Sequence, residues 1–100
     1  MIIIQSPVKI TEKAIAEIKN ILSRKNIPGD YGLRIGIKDA GSNAVSHILG
    51  FDLKTDLDNE YTIEGLTVYI RKTEVHHLAG LTVDYYEGPE ATGFTFSGKK

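Results

Sequence analysis

The chain has 100 residues, the length of one domain, which excludes a multidomain enzyme carrying a separate cofactor module. Hydrophobic residues make up 41% and charged residues 25%, a globular balance that excludes a disordered or fibrous chain. Lys and Arg number 12 against 13 Asp and Glu, a formal net charge of -1, so the basic surplus that nonspecific nucleic-acid binding draws on is missing.

The opening run Met1-Ile2-Ile3-Ile4 is too short for a signal segment and has no basic flank. No stretch approaches the ~20 apolar residues of a membrane span, so a cytoplasmic chain is expected. The first regular element is a helix from Thr11 to Arg24. Thr11 suits the N-cap because its hydroxyl can accept one of the free N–H groups of the first turn. Ile10 and Ile15 have the spacing of a hydrophobic staple around that cap. Ala14, Ile15, Ile18, Ile21 and Leu22 then share one face, with Lys13, Glu17, Lys19 and Asn20 on the other. Pro28 and Gly29 are expected to end the helix.

Beyond this point the period is two. Tyr31, Leu33, Ile35 and Ile37 alternate with Gly32, Arg34, Gly36 and Lys38, the pattern of a half-buried strand. The polar turn Asp39–Asn43 leads to a second extended stretch from Val45 to Leu53. Asp56 to Glu60 reads as a solvated loop before Tyr61-Thr62-Ile63, and Glu64-Gly65 as a turn. Leu66, Val68 and Ile70 alternate in a further strand, Arg71 to Leu78 suits a short helical turn, and Leu81, Val83 and Tyr85 alternate again. Gly88-Pro89-Glu90 breaks the chain before a last strand over Gly93 to Phe96. One helix with many short strands predicts an α+β domain over 1–100. In it the N-terminal amphipathic helix packs on a small, mostly antiparallel or mixed β-sandwich or barrel.

Few residues present themselves for chemistry. The chain has no cysteine, so disulfides, thiol nucleophiles and thiolate-held metal centres cannot be built from it alone. His76 and His77 are adjacent and expected to point apart, unlike an i, i+4 ligand pair. An EF-hand loop beginning at Asp56 would need Gly where Tyr61 stands and Glu where Thr67 stands. Asp39, Ser42 and His47 have the residue types of a nucleophile set, but Ser42 lacks the G-x-S-x-G setting. Gly36 to Gly41 matches neither phosphate-loop spacing. Tyr85, Tyr86, Phe94 and Phe96 are better explained by packing than by base stacking, since no basic stripe accompanies them.

Five local words, in order, resemble the HesB-like domain of A-type iron–sulfur carriers (IscA-like). They are Lys9-Ile10-Thr11-Glu12-Lys13-Ala14, Tyr31 to Lys38, Gly50-Phe51-Asp52, Leu78 to Tyr85, and Gly93-Phe94-Thr95-Phe96. The resemblance covers residues 8 to 97. It implies the family's fold, a tendency to dimerise, and a cluster-ligand turn reading Gly-Gly-Cys-Ser-Gly. Here that turn is Ala40-Gly41-Ser42-Asn43-Ala44, so Ser42 stands at the position of the ligand cysteine, with Asp39 and Asn43 in the neighbouring turn. His47 occupies the place of the aromatic residue that usually follows. The family's Cys-Gly-Cys pair is not reached before Lys100.

A serine hydroxyl is harder and far less acidic than a thiol and is a poor ligand for an iron–sulfur cluster. The expectation is therefore a degenerate cluster site: no catalytic residue, no cofactor and no metal. Such a non-enzymatic protein would act as an accessory or interaction module for iron–sulfur assembly proteins. It would form a homodimer, or a heterodimer with a cysteine-bearing carrier, and engage neither nucleic acid nor membrane. Two alternatives stand beside it: a weak iron or zinc protein using Asp39 and His47, and, more remotely, a small-molecule enzyme using the Ser42 turn.

Overall fold

The computed structural model describes residues 6–39 and 45–98. Strand β1 is Lys9–Ile10 and helix α1 is Glu12–Arg24. Thr11 caps the helix as expected, accepting the Ala14 amide at 3.2 Å while its own hydroxyl donates to Asp84 Oδ1 at 2.7 Å. Ala14, Ile15 and Ile18 are buried, with Ile21 and Leu22 half-buried at the far end. The helix stops before Pro28. Asn26 takes a left-handed conformation (φ 53°), its amide reaches Ser23 O, and the Ile27 amide reaches Leu22 O. These are the paired bonds of a Schellman ending, and asparagine tolerates the left-handed turn that makes them possible.

Among the described residues, seven strands make two sheets. Strands β2 (Gly32–Asp39), β3 (Val45–Asp52), β4 (Asp58–Ile63) and β5 (Leu66–Arg71) form one sheet, in the order β3-β2-β5-β4. Strands β6 (Thr82–Glu87) and β7 (Thr92–Ser97) join β1 in the other, in the order β1-β6-β7. Between β5 and β6 lie a short 3-10 turn (Lys72–Glu74) and the single-turn helix α2 (Val75–Leu78), as expected for that segment. Hairpin pairings are antiparallel, while β2–β5 and β1–β6 are parallel. The expected α+β fold with a mixed sheet arrangement is therefore present. Strand β1 escapes sequence reading because two residues are too few to display a period.

Strand β5 lies between β2 and β4 and is buried on both faces: Leu66, Val68 and Ile70 on one, Tyr69 on the other. Tyr69 lies so close to Gly32 that a Cβ there would come within 2.6 Å of its ring. The β4–β5 hairpin turns on Glu64 and Gly65, both with positive φ, which is the two-residue turn matching the twist of paired strands. Lys19 of α1 donates to Glu64 O at 2.6 Å and ties that turn to the helix. Ile18, Leu33, Ile35, Val68, Ile70, Leu78 and Val83 are each fully buried where α1 and the two sheets meet.

Asp56 to Glu60 is not the solvated loop that its composition suggests. Strand β4 begins at Asp58, whose exposure is only 2%. The Arg34 guanidinium donates two 2.7 Å hydrogen bonds to Asp58, one to each carboxylate oxygen. It reaches Asp52 as well, Nε to Oδ2 at 3.0 Å, and Leu53 O at 3.1 Å. Thr55 completes the shell, its amide and hydroxyl donating to Asp58 Oδ2 at 2.8 and 3.0 Å. The outward alternation of β2 that exposes Lys38 thus places Arg34 under the β3–β4 connection.

Candidate functional site

The region that the sequence singles out lies at the far end of the β2–β3 hairpin. Eight consecutive residue pairs run without a bulge from Gly32 opposite Asp52 to Asp39 opposite Val45, with Ile37 opposite His47. Because side chains alternate with a period of two, Leu33, Ile35 and Ile37 share a face with Phe51, Leu49 and His47. That face looks toward α1 and β7. There the His47 ring stacks on Phe96, with centroids 5.0 Å apart and planes 21° from parallel. The His47 side chain is half-buried.

Asp39 ends β2, two residues along from Ile37, the ladder partner of His47. Ser42 and Asn43 lie outside the described residues. Among the described residues no three His, Cys, Asp or Glu side chains gather as a metal-binding group. His76 and His77 do not point apart as expected: their rings meet with centroids 4.8 Å apart and planes tilted by 30°, on the exposed face of α2. A single helical turn leaves exposed rings free to lean together, but no third ligand joins them among the described residues.

Ionisation is perturbed elsewhere. The Arg34 guanidinium holds the Asp58 carboxyl well below the usual carboxylate range against the opposing effect of burial, helped by the Thr55 amide and hydroxyl. Asp58 in turn raises Arg34. Asp52 is lowered by the Leu53 amide and by Arg34, and Asp84 by the Thr11 hydroxyl and the Tyr85 amide. Every buried side-chain polar atom among the described residues has a hydrogen-bond partner. The Arg34–Asp58 pair is thus a satisfied structural clamp rather than a poised acid or base. Sequence reading missed it because opposite charges 24 positions apart carry no local signal.

The donor set can be tested against an iron–sulfur cluster by its chemistry alone. The chain has no thiol, and His47 with Asp39 supplies nitrogen and oxygen donors of borderline and hard character. The residues do not fit such a cluster.

Among curated proteins, the chain is 36% identical over 91 residues to the uncharacterized protein y4vC of Sinorhizobium fredii, covering 89% of this chain and 84% of that protein. It is 33% identical over 89 residues to the mitochondrial iron-sulfur cluster assembly 1 homolog of Rattus norvegicus, covering 88% and 67%. The crystal structure of IscA with the 2Fe-2S cluster superposes with a TM-score of 0.71 at 24% identity, over 91% of this chain and 81% of that one. The family described as iron-sulphur cluster biosynthesis matches residues 7–99. The chain is a member of the iron-sulphur cluster biosynthesis family.

Proposed function

We propose that this chain is a non-enzymatic, single-domain HesB/IscA-like protein that serves iron–sulfur cluster assembly without ligating a cluster itself. One observation carries the reading: a scaffold with the family's sequence words has Ser42 at the ligand-cysteine position, and none of its 100 residues is cysteine. Clusters of the two-iron and four-iron kind are held by four thiolates, or by thiolates with histidines, and this sequence offers no thiolate. What it offers is the scaffold, as an accessory or interaction module for assembly proteins. It works as a homodimer or beside a cysteine-bearing carrier, in the cytoplasm. Among the described residues no helix is long and apolar enough to cross a membrane.

Anaerobic reconstitution with ferrous iron and sulfide tests this directly. The expected result is no stable brown chromophore, and Ser42→Cys should not restore one, because it adds only one thiolate per protomer. Iron and acid-labile sulfide retained in equal amounts through gel filtration by the wild-type chain would refute the proposal. Near-equimolar iron or zinc without sulfide, lost on His47→Ala, would favour instead a weak metal site using Asp39 and His47. Affinity capture from cells should bring down cluster-assembly proteins or a cysteine-bearing relative.

A further inference from the structure

Between α1, the β2–β3 hairpin and β7 lies a cavity of about 370 Å³. Its floor is Ile18 and Leu33, which are fully buried, and its walls include Leu49, Phe51, Phe94 and Phe96, all half-buried. Protein interiors are packed as densely as organic crystals, with few voids larger than a water molecule. A space this large, bordered by half-buried phenylalanines, leaves apolar surface uncovered. Its volume is at the lower end of the roughly 300–1,000 Å³ typical of small-molecule pockets. Ordered water is a poor filling, because each water needs two to four polar partners. Among the described residues, His47 is the only lining side chain with polar atoms.

We propose that this cavity binds a small aromatic carboxylate, its ring among Phe51, Phe94 and Phe96 and its carboxylate on the His47 imidazole. Three phenyl walls favour a planar ring through offset and edge-to-face contacts. The imidazole can donate a ring N–H hydrogen bond, so it complements an anionic acceptor. The stack on Phe96 holds the imidazole in place at the wall. The inference stands apart from the cluster reading, since ligand binding and iron content are separate readouts.

The test is a titration of the full chain with naphthoate, followed by backbone amide resonances, with naphthylmethanol as the uncharged control. Saturable shifts are expected at Leu49, Phe51, Phe94 and Phe96, with the alcohol binding roughly tenfold more weakly, the worth of one hydrogen bond to a charged group. His47→Phe keeps an aromatic stack while removing the ring N–H. It should weaken naphthoate to the level of the alcohol and leave the alcohol unchanged. The acid-against-alcohol comparison in the wild-type chain stands even if that variant does not fold. The proposal is overturned by an absence of saturable shifts, by equal affinity for acid and alcohol, or by shifts centred outside the cavity. It is equally overturned if the same amides shift on concentrating the protein alone, which would assign the cavity to a second copy of the chain.

Discussion

The two faces of the four-stranded sheet are finished in opposite ways. On the outer face, a buried ion pair joins three segments: Arg34 from β2, Asp58 at the start of β4, and Thr55 with Leu53 from the connection between β3 and β4. On the inner face, the β2–β3 hairpin meets β7 through a His47–Phe96 stack across an apolar cavity of about 370 Å³. The first is closed by directional, mutually satisfied bonds. The second is held there by non-directional packing that leaves space. Leu33 and Arg34, neighbours in β2, thus serve opposite faces, one lining the cavity and the other closing the clamp.

The largest expected effect breaks the closed face. Arg34→Met leaves a buried Asp58 carboxylate without its partner and should cost about 3–5 kcal/mol of stability in urea unfolding. Arg34→Met combined with Asp58→Leu should regain much of that loss, because no buried charge then remains unpaired. The acid limb checks the same clamp. Asp58 titrates below its ordinary value in the folded chain, so its contribution is fully present above the unfolded value near ~4 and is lost as pH falls below it. Unfolding midpoints measured from neutral pH downward should fall less steeply in the double variant than in the wild type. Equal slopes would mean that Arg34 and Asp58 do not set the acid limit.

A somewhat smaller effect is expected at the cavity. Ile18 is fully buried and forms part of the cavity floor, so Ile18→Ala should cost about 2–4 kcal/mol. Asn20→Ala, on the exposed face, is the proper reference and should stay within about 0.5 kcal/mol. Lys19→Ala is not neutral, because Lys19 holds the β4–β5 turn through Glu64 O. If Ile18→Ala and Asn20→Ala matched, the helix would not pack as described.

Thr11 lies away from both the clamp and the cavity and should show an intermediate cost. Thr11→Ala removes the N-cap of α1, at about 1 kcal/mol, and Thr11→Ser should restore most of it. Ser42→Ala should cost under about 1 kcal/mol, as an ordinary polar turn would give. A loss of several kcal/mol there would show a rebuilt site.

Much of this architecture is legible along the chain. Helix α1 announces itself through a Thr cap, a staple and an apolar stripe, all within the fifteen residues from Ile10 to Arg24. The inward faces of β2 and β6 follow from simple alternation. The candidate turn is legible for a different reason, a family resemblance anchored by words on either side of it. Where reading failed, the cause was distance or brevity. Asp58 sits in a run of acidic residues that looks solvated, and only Arg34, 24 residues earlier, makes it buried. His76 and His77 meet because exposed rings on one short helical turn are free to lean together.

Local physics therefore settled what each segment is. Capping, periodicity and turn chemistry act between residues a few positions apart, and they need no partner segment to be effective. The tertiary structure decided what each segment meets. It set the parallel joining of β1 to β6 and of β2 to β5, the burial of Asp58 beneath Arg34, and the gap between β3 and β7. Those outcomes depend on which surfaces share the limited interior of a small domain. An apolar or charged residue carries its own preference for burial or pairing, but the partner that satisfies it is supplied only when distant segments come together.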